Sequence, residues 1–134
     1  MDRISSEYTT YNNIRVLALE DKEDRGATIL STFPNVLWVR TARDCINELK
    51  TKPYDIVTLD HDLNDEAYVD SARDDCGMEV VRWLVKQRMQ KQIRVVVHSH
   101  NEPTAQRMVT ALKTAGYLVE YTPFGTGAFW EKHT

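Results

Sequence analysis

Short apolar runs and segments of helical periodicity take turns along the chain. After a polar stretch, residues 1–13, the run IRVLAL (14–19) stops at Glu20 and Asp21. Residues 22–33 carry Ala27, Ile29, Leu30 and Phe33 at near-helical spacing, and Pro34-Asn35 ends that segment. VLWVR (36–40) predicts a second strand. Thr41 suits a helix N-cap, since its hydroxyl can accept from an early backbone N–H, and Ala42, Cys45, Ile46 and Leu49 then share one face. Pro53 closes that helix, and YDIVTLD (54–60) predicts strand three. A polar loop to Asp75 leads into GMEVVRWLVKQRMQ, whose apolar stripe is Met78, Val81, Leu84 and Val85. IRVVV (93–97) predicts strand four, TAQRMVTALKTAG a helix stopped by Gly116, and YLVEY (117–121) strand five.

Short apolar strands interleaved with amphipathic helices imply an α/β domain, a doubly wound five-stranded parallel sheet covered on both faces. Residues 14–134 read as one such domain and residues 1–13 as a loosely held arm. In sheets of this kind ligands bind beyond the carboxyl ends of the strands, where strand order reverses. Those ends carry Glu20 and Asp21, Asp60, and His98.

Composition adds bounds. With 134 residues, 42% hydrophobic and 28% charged, the chain suits a soluble domain with a continuous core. A net charge of −3 argues against a long nucleic-acid duplex as partner and leaves room for a small anionic ligand. No apolar run approaches the ~20 residues that span a membrane, and the first residues lack the apolar core of a signal peptide. Cys45 and Cys76 have neither metal-ligand spacing nor a disulfide framework, so a reducing cytoplasm is expected.

Hard divalent cations such as Mg²⁺ and Mn²⁺ need oxygen ligands that converge from separate elements. Adjacent strand ends bearing Glu20, Asp21, Asp60 and Asp62 offer that convergence. The same pattern, with Gly77-Met78-Glu79-Val80-Val81 opening the next helix, resembles response-regulator receiver domains. The resemblance implies the flavodoxin-like receiver topology. It places Asp60 at the phosphoacceptor position, Glu20 and Asp21 at the acidic pair that holds Mg²⁺, and Asp62 where a backbone carbonyl joins them.

Two departures matter. His98 stands where a receiver has Thr or Ser, and Glu120, Tyr121 and Thr122 before Pro123 replace the receiver lysine. LDHDL, the CGxEVVRWL-like segment, HSHN and the following Arg-Met together resemble the cyclic-phosphate processing receiver domains of bacteria and phages. That resemblance implies action on a small nucleotide or RNA-terminal cyclic phosphate.

Opening a cyclic phosphodiester requires an activated water, a proton for the departing oxygen, and stabilisation of anionic phosphorus. Histidine, with an ordinary pKa of ~6.5, suits the first two; a metal suits the third. Alternate strand residues face one way, so His98 and His100 can flank a phosphate, and His61 offers a third imidazole from the neighbouring strand end. An alternative donor set, with imidazole ligands, suits Mn²⁺, Fe²⁺ or Zn²⁺ and leaves Asp60 or Asp62 as base. The sequence keeps both assignments open. Asn101 is a candidate cap for the fourth helix, and with Ser99 it belongs to a stretch that would meet the phosphate. Arg107, a turn later, is a clamp if it points inward and a solvated charge if it does not.

The acidic loop from His61 to Asp75 reads as a solvated mobile segment or as a lid with Tyr68 stacking on a base. Trp38 and Trp83 read as core. Phe124, Phe129 and Trp130 would seal the sheet beside a reduced C-terminal helix or form a homodimer contact. The leading functional expectation is therefore a metal-assisted phosphoesterase. Its competitors are a non-catalytic receiver-like binding module and a true receiver phosphorylated on Asp60.

Overall fold

The computed structural model describes residues 14–63, 66, 68–87 and 92–123. The expected arm, the reduced C-terminal helix and the aromatic tail all lie outside these residues. Strands β1 (Val16–Leu19), β2 (Leu37–Val39), β3 (Ile56–Leu59), β4 (Arg94–Val97) and β5 (Leu118–Tyr121) alternate with helices α1 (Glu23–Thr32), α2 (Ala42–Thr51), α3 (Gly77–Lys86) and α4 (Glu102–Thr114). The sheet is wholly parallel in the order β2-β1-β3-β4-β5. Strand order therefore reverses between β1 and β3, the place where this fold binds ligands.

The three central strands are buried on both sides, which explains their unbroken apolar runs. One face packs against α2, α3 and α4 through residues such as Leu17, Leu49, Val57, Leu84, Val95 and Leu112. The other carries Val16, Ala18, Ile56 and Val96 against Ile29 and Phe33 of the α1 region.

Two apolar stripes differ from expectation. On α1 the buried positions are Gly26, Ile29 and Thr32, while Ala27 and Leu30 face outward. Gly26 decides this rotation, because a Cβ there would stand 1.9 Å from the Trp38 ring. On α3, Val85 is exposed and Val80 is buried, since α3 has neighbours on both sides, α2 and α4, and the buried face widens accordingly. Other signals behave as their chemistry predicts. The Thr41 hydroxyl accepts from the Asp44 N–H at 3.1 Å, and Gly116 adopts φ 98 after α4.

Candidate metal and phosphate site

Parallel register sets the carboxyl ends of β1, β3 and β4 side by side, with Leu19 opposite Leu59 and Leu59 opposite Val97. The next residue on each strand is Glu20, Asp60 and His98. All three are buried, and one ligand atom from each lies within 4.8 Å of the others. The ladder continues into them, as the Asp60 N–H donates to the Leu19 carbonyl and the His98 N–H to the Leu59 carbonyl. His98 Nε2–H donates to Glu20 Oε1 at 2.9 Å, and the Lys22 N–H donates to Glu20 Oε2 at 3.0 Å.

These contacts drive the two carboxyls apart. Burial pushes Asp60 up to about 7, with the Glu20 charge adding to the effect and His98, the His61 N–H and Arg25 opposing it. Burial acts on Glu20 as well, but the hydrogen bonds from His98 and Lys22 outweigh it and leave Glu20 below its ordinary value. Two oxygen donors and one imidazole nitrogen, closely spaced and shielded from water, fit a divalent cation of the Mg²⁺ to Zn²⁺ series.

Two features behind the donors hold them in place. A Cβ on Gly77 would stand 1.9 Å from the Asp60 carbonyl oxygen, so only glycine lets α3 start against the end of β3. Its N–H donates to the His61 carbonyl at 2.9 Å. Beneath Glu20, Trp38 Nε1–H donates to the Glu20 carbonyl at 2.7 Å, and the Arg40 guanidinium stacks 4.3 Å from the Trp38 ring centre. Trp38 is thus half-buried and braces the Glu20 end of β1 rather than filling the core.

Above the buried donors opens a cleft of about 230 Å³. Asp60, Ser99, His100 and Asn101 line it from the strand ends, Asp62, Glu66 and Tyr68 from the long loop, and Lys22 and Arg25 from the start of α1. His100 is exposed at this rim, whereas His98 lies wholly beneath it.

The remaining sequence candidates are placed otherwise. Chain alternation turns His61 away from Asp60 into the fold, where it has no exposure; Nδ1–H donates to Asp62 Oδ1 at 2.7 Å, and Nε2 accepts from the Ser71 hydroxyl at 3.1 Å. Both nitrogens are committed to holding the loop. The Asp62 carboxylate also accepts from the Tyr68 and Val69 N–H groups and from the Asn101 amide. Burial pushes Asp62 up, yet those bonds prevail and hold it below the usual carboxylate range. Asn101 occupies the N-cap position of α4 without capping it, because its amide is turned to Asp62. Asp21 is half-buried beside the three donors but outside their cluster. Arg107 is exposed and does not line the cleft.

In its described parts the loop is solvated at Glu66, Tyr68, Asp70 and residues 72–74 but anchored at a few points. Leu63 and Val69 are buried, and Arg82 donates to the Ser71 and Arg73 carbonyls at 2.7 Å each. At the far edge, Tyr121 supplies a hydroxyl that donates to the Ser99 carbonyl at 2.9 Å, and Glu120 pairs with Arg94. No cation of β5 enters the site.

A family model for the cyclic-phosphate processing receiver domain matches residues 15–114. The chain belongs to that family. The cyclic-phosphate processing receiver domain also shares the fold of receiver structures. One is a CheY-like receiver domain from Methylobacillus flagellatus, 19% identical, with 89% of this chain and 93% of that chain covered at a TM-score of 0.64. Another is CheY4 of Vibrio cholerae, 14% identical, with the same coverage and a TM-score of 0.65. A third is the Mn²⁺-bound form of the response regulator Rcp1, 16% identical, covering 89% and 88% at a TM-score of 0.62. No curated protein sequence matches the chain. Among the described residues no helix is long and apolar enough to cross a membrane.

Sequence reasoning missed Lys22, Arg25 and the bracing role of Trp38. The signal for the first two was available: they directly follow the acidic pair, and the first turn of the helix after β1 must lie near the ends of β1 and β3.

Proposed function

We propose that this receiver domain is a metal-assisted phosphoesterase that hydrolyses a nucleotide or RNA-terminal cyclic phosphate. The observation that carries this reading is the stacking of two layers at one strand end. Glu20, Asp60 and His98 converge below, and a cleft lined by His100, Ser99 and Asn101 opens directly above Asp60. Glu20, Asp60 and His98 would hold the metal; when bound, it would supply charge neutralisation of phosphate oxygens and a more acidic bound water.

Each remaining role belongs to the chain. His98, buried beside Glu20, would be a ligand rather than a proton shuttle, since it has no surface towards the cleft or bulk water. The ligating nitrogen would have to be free of its proton, so a metal on Nε2 would replace the bond now donated to Glu20. His100 sits at the rim and exchanges the protons: one leaves the attacking water, one reaches the oxygen released as the P–O bond breaks. The start of α4 at Asn101 adds the positive end of a helix dipole beside the phosphate. Receiver phosphotransfer is the weaker reading, because the lysine it uses is replaced and Tyr121 is turned to Ser99 instead.

The test is incubation of the pure protein with Mg²⁺, Mn²⁺ or Zn²⁺ and 2′,3′-cyclic, 3′,5′-cyclic and cyclic-dinucleotide substrates. Turnover of one class is expected, and His100→Ala should slow it by about 10²–10⁴-fold, the span of general acid–base contributions. No turnover of any substrate with any of the metals overturns the reading.

A further inference from the structure

We propose that the cleft is a nucleotide subsite in which Lys22 and Arg25 clamp the phosphate and Tyr68 provides the face on which the base stacks. The inference rests on the phosphate-site reading above and deepens it. It makes the substrate a mononucleotide or a strand end rather than the interior of a nucleic-acid chain.

The charge argument comes first. A phosphate above Asp60 and Glu20 needs cations, and the residues lining the cleft also include Asp62 and Glu66. Of the basic side chains elsewhere, Arg94 is paired with Glu120 on β5, and Arg107 is exposed outside the cleft. Lys22 and Arg25 are the cations that line it among the described residues. They are placed there by the sharp turn from β1 into α1, pinned by the Lys22 N–H bond to Glu20 Oε2. Arg25 is near enough to the floor for its charge to act on both the Glu20 and Asp60 carboxyls.

Tyr68 carries the second half. Its side chain is 80% exposed, yet it lines the same cleft as His100 and Arg25. Its φ is 55, a left-handed conformation that a bulky residue rarely adopts. The Tyr68 N–H donates to Asp62 Oδ2 at 2.8 Å, so the carboxylate that secures the loop also fixes this backbone. Strain of this kind persists where the surroundings enforce it, often at ligand clamps. An aromatic face presented to water beside a phosphate cleft is a platform for a nucleobase.

Size agrees. The cleft's volume of about 230 Å³ falls below the roughly 300–1,000 Å³ of pockets that swallow a drug-sized ligand. It therefore takes the phosphate end and leaves the base over the rim at Tyr68. The same loop carries Glu66, Asp70 and Asp74 at exposed positions. Although Arg73 pairs with Glu66 and Asp75, the loop stays net negative and repels the further phosphates of a continuous strand.

The experiment is calorimetric binding to the full chain, in buffer with Mg²⁺, of the four nucleoside 3′-monophosphates and of inorganic phosphate. Wild type should bind the nucleotides more tightly than phosphate. Tyr68→Ala should weaken nucleotide binding by about 5- to 150-fold, the fold-range of one stacked base, and leave phosphate binding unchanged; Tyr68→Phe should retain nucleotide affinity. Arg25→Gln and Lys22→Gln should each weaken both ligands at least tenfold, and Arg107→Gln neither. Failure of wild type to prefer the nucleotides, or wild-type nucleotide affinity in Tyr68→Ala or Arg25→Gln, overturns the inference. Binding is read separately from hydrolysis. Cyclic phosphates turned over with Tyr68→Ala unaffected would sink this subsite alone, and Tyr68-dependent binding without turnover would sink the phosphoesterase alone.

Discussion

His98 Nε2 lies 2.9 Å from Glu20 Oε1 across 78 residues of sequence, and neither side chain has any exposed surface. Removing one member of a pair so buried leaves the other's charge or donor poorly compensated, even though Glu20 keeps its bond from the Lys22 N–H. His98→Ala should therefore cost roughly 3–5 kcal/mol, the span seen when one partner of a buried pair is lost. Urea unfolding checks this, and a loss under 1 kcal/mol would mean that the pair is not formed in solution.

The same pair predicts the response to metal. Mn²⁺ at about 100 times its dissociation constant should stabilise the native chain by about 2.7 kcal/mol, seen as a higher melting temperature that EDTA reverses. Glu20→Gln and Asp60→Asn should each abolish most of that rise. An undiminished rise in both variants would place the ion elsewhere.

Gly77→Ala tests how the floor is held. The added Cβ meets the Asp60 carbonyl at 1.9 Å, and its neighbour is backbone, which cannot swing aside. Overpacking of this kind costs about 1–3 kcal/mol, and the displaced Asp60 should also weaken Mn²⁺ binding. Unchanged stability together with unchanged metal affinity would show that the start of α3 tolerates the side chain.

Tyr54 offers a control far from the cleft. Burial, then the Glu48 carboxylate that accepts its hydroxyl at 2.6 Å, pushes Tyr54 up to about 12. A folded-state pKa above the unfolded one means that the stabilisation is complete below pH 10 and fades as pH rises towards 12. Absorbance at 295 nm should show one tyrosine ionising near 12 that disappears in Tyr54→Phe, with nucleotide binding unchanged.

Both cysteines are buried, and burial pushes both thiols up. Thiolate is the reactive form, so native protein at pH 8 should react with a disulfide reagent at a small fraction of its rate in denaturant. Fast labelling of the native chain would mean that one thiol is reachable.

The alternation of apolar runs and helical stripes was enough to give five parallel strands and four helices, because strands buried on both faces leave unbroken apolar runs. The switch-point rule pointed to Glu20, Asp21, Asp60 and His98; the parallel register brings Glu20, Asp60 and His98 together and leaves Asp21 outside their cluster. What the sequence left open was orientation. His61 neighbours Asp60 yet points into the fold, Asn101 starts a helix yet spends its amide on Asp62, and Leu30 turns outward because Gly26 must lie under Trp38. Lys22 and Arg25 looked like ordinary helix-start charges until the cleft had a shape. Sequence by itself determined which residues end the strands, since periodicity and polarity are local. Only the tertiary structure decided which of them share one cleft, since that depends on side-chain direction and on close contacts between elements far apart in the chain.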